Sequence, residues 1–101
     1  MLDDLTFWIQ QYDLVCFVEI SANNEKILAK LGDMVEDTHD YDVCGQTACF
    51  YNKEYKLESI KEFSNYTHKQ GLYTFTFSGM RLQVLAVHLK ARSDKKESRQ
   101  M

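Results

Sequence analysis

Proline is absent from the 101 residues and glycine occurs only four times, so the chain holds no Pro/Gly-rich linker, and no repeat or low-complexity tract divides it. One domain is the most that this length accommodates. No apolar run approaches the roughly 20 residues needed to span a bilayer, which sets a membrane span aside. Positive charge is also scarce: 12 Lys and Arg face 15 Asp and Glu, for a formal charge of −3. A protein that coats nucleic acid by basicity alone is therefore disfavoured, although a local site for phosphate is still compatible. The only basic patch is residues 90–101, where Lys90, Arg92, Lys95, Lys96 and Arg99 outnumber Asp94 and Glu97. Cysteine is limited to Cys16, Cys44 and Cys49. An odd count, together with an N-terminal segment lacking the basic region and small-residue cleavage site of a secretory signal, leads us to expect a reducing, intracellular setting. Cys44 and Cys49 have no second pair to complete a zinc site and read as packing thiols. In that setting the acceptor tripeptide Asn65-Tyr66-Thr67 carries little meaning.

What is present is ordinary for a globular domain: 45% hydrophobic, 13% aromatic and 27% charged residues, too apolar for a disordered tail. Such a chain can bury one modest core, but a large cleft between two layers is hard to build from it alone. Leu2, Leu5, Trp8, Ile9 and Tyr12 recur at helical spacing behind Asp3 and Asp4, whose charges suit a helix N-terminus, and predict a helix over 2–12. Leu14 to Val18 is almost wholly apolar and predicts a central strand covered on both faces, ended by Glu19. Capping residues from Ser21, followed by Ile27, Leu28, Leu31, Met34 and Val35, predict a second helix. The acidic run Glu36 to Asp42 lacks the ligand spacing and glycine of a calcium loop and reads as a solvated connection.

Beyond it the pattern predicts strands at Thr47–Tyr51, Tyr55–Ile60, Leu72–Phe77 and Arg81–Val87, with tight hairpins at Asn52-Lys53-Glu54 and Ser78-Gly79-Met80. Tyr73, Phe75 and Phe77 alternate with threonine, which places three rings on one sheet face toward a core. The apolar run Leu82 to Val87 predicts a second central strand, next to or near Leu14–Val18.

Each of these two apolar strands terminates in an ionisable group, Glu19 and His88. Strand ends in layered α/β proteins are where side chains from separate strands converge, and a carboxylate there offers the hard oxygen chemistry that Mg²⁺ takes. A histidine can steady a phosphate or donate a proton to a leaving oxygen. Taken singly, Glu19 also reads as a solvated strand end and His88 as a hydrogen-bonded structural residue. Spacing alone does not decide between these readings.

The segment Asp13-Leu-Val-Cys-Phe-Val-Glu19-Ile resembles the "D-I-V-x-L-Q-E-V" segment of the endonuclease/exonuclease/phosphatase superfamily, with Val18 in place of the usual glutamine. Val84-Leu-Ala-Val-His88-Leu-Lys-Ala-Arg92 resembles that family's "V-x-x-x-H-L-K" motif. Between them Gly45-Gln-Thr-Ala-Cys-Phe-Tyr-Asn-Lys53 is similar to "G-x-A-I-L-Y-D-K", and Lys95-Lys-Glu-Ser-Arg99-Gln100 is similar to the start of the next helix. The resemblance implies Glu19 as a ligand of a catalytic Mg²⁺ and His88 as an active-site residue against the scissile phosphate. It implies a phosphate-ester substrate, nucleic acid or another phosphodiester, but not which one.

The departures concern function. The "G-D-x-N" and "S-D-H" motifs that supply the water-activating aspartate, a phosphate-binding asparagine and a second histidine are absent, as are an initial strand bearing an asparagine and the arginine often found before the Leu72 strand. Residues 1–101 thus resemble a partial domain, lacking the first strand and the C-terminal half. The expected fold is α/β, part of a four-layer α/β sandwich with one mixed, mostly antiparallel sheet and two helices on one face. The expected function is that of a partial Mg²⁺-dependent nuclease or phosphatase domain, inactive alone; the alternative is a non-catalytic α/β binding or interaction module. If other aspartates substituted for the missing base, Asp94 and Asp42 would be the first to test. Covering both faces of two apolar strands with only two helices leaves an apolar sheet face opposite the helices, so self-association through that face is expected.

Overall fold

A computed structural model of the protein describes residues 2–20, 22–64 and 69–87. The α/β character read from the sequence is present: helices α1 (Leu2–Gln11) and α2 (Glu25–Met34) accompany strands β1 (Leu14–Phe17), β2 (His39–Cys44), β3 (Thr47–Asn52), β4 (Lys56–Ser64), β5 (Lys69–Phe77) and β6 (Met80–Ala86). The strands do not join in one mixed sheet. They form two three-stranded antiparallel sheets with orders β1-β3-β2 and β4-β5-β6.

Period-two alternation in β3 explains why two sheets stack. Ala48 and Phe50 point to one side, where they pack with Ile9 of α1 and Leu28 and Leu31 of α2. Thr47, Cys49 and Tyr51 alternate with them and face the other side, where Cys49 and Tyr51 pack with Tyr73 and Phe75 of β5. The layers therefore run helices, first sheet, second sheet. Tyr73 and Phe75 are fully buried and Phe77 stacks on Tyr55 with ring centroids 4.4 Å apart, so the aromatic-threonine alternation of β5 points inward as expected.

Several elements differ from the expectations. The acidic run is not a loop through its whole length: residues 39–44 form β2, because Tyr41 stacks on Phe50 at 5.0 Å and is packed against the helix-side core while Asp40 and Asp42 alternate with it. Gly32 lets helix α2 approach the Tyr41 ring, which an added Cβ would strike. Leu14–Val18 is not central: β1 pairs only with β3 among the described strands, and it is apolar on both sides because helices lie on one face and the second sheet on the other. Nor is the Leu82 run central or beside β1, since β6 pairs with β5. The Asn52–Tyr55 turn is tight, with the Glu54 N–H donating to Asn52 Oδ1 at 2.9 Å, but it carries the chain from one sheet to the other instead of closing a hairpin. The Ser78-Gly79 hairpin is as expected, both residues having positive φ. On α1, Leu2, Leu5 and Ile9 meet the core, whereas Trp8 and, just past the helix, Tyr12 are about half exposed and stack on each other.

The outer face of the second sheet carries no helix among the described residues. Register puts Leu72, Thr74 and Thr76 of β5 there with Leu85, Gln83 and Arg81 of β6, and Lys61 lies over the Phe63 ring. The face is thus mixed, with its apolar residues gathered at one end. No helix among the described residues is long and apolar enough to cross a membrane.

The sheets meet closely at Gly71. A Cβ there would lie 2.8 Å from Thr47 Oγ1 and 2.9 Å from Cys44 Cβ. The Thr47 hydroxyl donates to the Cys44 carbonyl at 2.7 Å and lies 2.9 Å from the Tyr73 hydroxyl, which donates to it in turn. Replacing Gly71 by Ala overpacks this junction and is expected to cost about 1–3 kcal/mol, read as a lower urea midpoint at unchanged m-value.

Candidate functional site

Glu19 follows β1 by two residues and is exposed. Its backbone is left-handed, φ 61°, a conformation that disfavours side chains with a Cβ and that recurs at functional sites. The turn is imposed from the next residue: the Ile20 N–H donates to the Gln46 carbonyl at 2.8 Å, hooking the chain onto the β2–β3 turn, where Gly45 also has positive φ. Glu19 sits on a groove of about 280 Å³ lined by Leu5, Phe17, Ile20, Ile27 and Leu28, with Asn24 as a further polar member.

His88 lies outside the described residues, as do Asp94, the basic tail and the Asn65-Tyr66-Thr67 tripeptide. The strand leading to His88 can still be placed. Phe17 at the end of β1 pairs with Ala48, and the neighbouring Thr47 abuts Gly71, which pairs with Ala86 at the end of β6. The C-terminal ends of β1 and β6, in different sheets, therefore lie at the same end of the stack.

Asp42 is engaged. The Tyr51 hydroxyl donates to its Oδ2 at 2.6 Å, and burial together with the Asp42 carboxylate raises the Tyr51 phenol above its usual range. As a base Asp42 would have to give up this bond. No group of three or more His, Cys, Asp or Glu side chains among the described residues is arranged to hold a metal ion.

One histidine was hidden within the acidic run. His39 is buried; its Nε2–H donates to the Tyr12 carbonyl at 2.8 Å, and the Thr38 hydroxyl meets Nδ1 at 2.8 Å. The ring ties the end of α1 to the start of β2 and has no reach to the groove residues through these bonds. Its signal in sequence, one histidine in phase with Tyr41 and Val43, becomes visible only once β2 is recognised as a strand.

Comparison with known proteins yields no match to a family model, a curated protein or a solved structure.

The left-handed backbone makes a prediction that separates side-chain chemistry from fold. Both Glu19→Gly and Glu19→Ala delete the carboxylate, but only glycine adopts positive φ without strain, so the glycine variant should be about 1 kcal/mol more stable than the alanine variant in chemical denaturation.

Proposed function

We propose that the chain contributes part of a Mg²⁺-dependent phosphodiester hydrolase domain, a nuclease or phosphatase, in which Glu19 is a metal ligand and His88 stands against the phosphate. The observation that carries this reading is the common placement of the ends of β1 and β6, each followed within two residues by the ionisable group in question. The left-handed Glu19 beside a groove supports it further. In this reading Mg²⁺ would bind Glu19 with water filling most of its shell and would draw off charge growing on the phosphoryl oxygens, as His88 would by hydrogen bonding. Asp42 is tied to Tyr51, and the "G-D-x-N" and "S-D-H" strings that would supply the water-aligning aspartate are absent from the 101 residues. The chain is accordingly proposed to be inactive alone and to self-associate through the outer face of the second sheet.

A second reading, a non-catalytic binding module, is favoured by the exposed aromatic group of Phe7 and Trp8 on α1 and Tyr12 just after it. Aromatic rings of this kind supply large contact area at interfaces. The two readings part at Glu19.

The hydrolase reading predicts weak Mg²⁺ binding, since one carboxylate without substrate phosphates is a poor chelator, observed by NMR titration as shifts centred on Glu19 and lost in Glu19→Ala. It also predicts no phosphodiester turnover above background, because losing the base removes roughly 10²–10⁴-fold of rate by itself. Tight, stoichiometric Mg²⁺ binding that survives Glu19→Ala would remove the metal role, and strong turnover abolished by His88→Ala would show that a different base acts.

A further inference from the structure

All three thiols of the chain are free, and two of them face each other. Cys16 of β1 and Cys49 of β3 are directly opposed in antiparallel register, and both belong to the cluster between the sheets. The Asn52 N–H donates to the Asp13 carbonyl at 2.8 Å, which marks Asp13–Asn52 as a hydrogen-bonded pair; counting inward, Leu14–Tyr51 and Cys16–Cys49 are non-hydrogen-bonded pairs. That class brings Cα atoms to about 4.5 Å, inside the range of about 4.4–6.8 Å that a disulfide bridges. Burial is asymmetric, with Cys49 fully buried and Cys16 half-buried, so a small oxidant can reach only one member directly. Metal binding does not compete, since no described cluster suits a metal ion.

We infer that Cys16 and Cys49 are a reversible oxidation site, with Cys16 the reacting thiol and Cys49 the resolving one, and that a peroxide closes them into a cross-strand disulfide. The Cys16 thiolate attacks a peroxide oxygen and the O–O bond breaks. The hydroxide released takes up the proton that Cys16 gave up and leaves as water, and Cys16 becomes a sulfenic acid. Cys49 sulfur then forms the S–S bond and displaces the sulfenic oxygen, which leaves with the Cys49 proton as a second water. Two thiols lose two electrons and two protons, and one peroxide becomes two waters. The ionisation behaviour runs the same way: a hydrogen bond from Cys49 holds the Cys16 thiol below its ordinary range, while that bond and burial push Cys49 up. Cys44 pairs with Thr47 and packs against Gly71, away from the Cys16–Cys49 pair, and burial raises its thiol, so it is not the reacting group.

The test is to treat the folded chain with hydrogen peroxide in modest excess, alkylate the remaining thiols and map peptides without reduction. The expected product is a monomer lighter by two hydrogens, with Cys16 linked to Cys49, Cys44 alkylated, and full reversal by dithiothreitol. Cys44→Ser should give the same link, whereas Cys49→Ser should leave Cys16 as a sulfenic acid that a dimedone probe captures. Oxidised wild type should also melt at a higher temperature than the reduced form, as cross-linked chains do. A link to Cys44, a link between chains as the main product, or three thiols that stay free under conditions that oxidise the urea-unfolded chain would overturn the assignment.

Discussion

Strand β3 must satisfy two cores at once, and the layers depend on that constraint. Its residues Ala48, Cys49 and Phe50 are completely buried, one set closing the helical layer and the other closing the second sheet. A strand so enclosed has no water to satisfy its polar atoms, and buried polar groups must then find protein partners. Thr47 meets this requirement by linking the Tyr73 hydroxyl to the Cys44 carbonyl, which binds the two sheets where only glycine fits at position 71. Desolvation raises the Tyr73 phenol well above its usual range, so the bridging hydroxyl keeps its proton across the neutral range.

Both helices and the Ser78-Gly79 hairpin were legible because their signals are local: helical spacing, acidic residues at a helix start, and a turn dipeptide with positive φ. Strand neighbours were not, for a physical reason. An apolar run fixes neither the cover of both faces, as the exposed Leu85 of β6 shows, nor central or edge position, which is a matter of backbone hydrogen bonding that side chains do not encode. Leu14–Phe17 is covered by helices on one face and a sheet on the other while pairing with one described strand. β2 was concealed by its charge, since Asp40 and Asp42 interrupt the alternation of His39, Tyr41 and Val43 and give the segment the composition of a solvated loop. At the candidate site, Glu19 could be read as a strand-end carboxylate, but its left-handed backbone and the hook of Ile20 onto Gln46 depend on a contact remote in sequence. The same holds for the His39 clamp on Tyr12.

The proposed function rests on where these constraints place the ends of two strands. β1 and β6 belong to different sheets, yet the Thr47–Gly71 junction brings their C-terminal ends together. The proposed hydrolase reading builds on that shared placement of the two strand ends. Three residues before Glu19, on β1 itself, Cys16 opposes Cys49. Chemistry proposed at the lip of the groove and chemistry proposed between the sheets thus share one short strand, and both rely on β3 to hold it in register.

Native-state hydrogen exchange measures that reliance most directly, because amide protection follows the free energy of the opening that exposes each bond. If β3 is the common wall of both cores, its amides and those of β5 should exchange most slowly, and their protection should vanish together as denaturant rises. Slower exchange in β1 or β6 than in β3, or loss of the two sheets' protection at separate denaturant concentrations, would contradict the account.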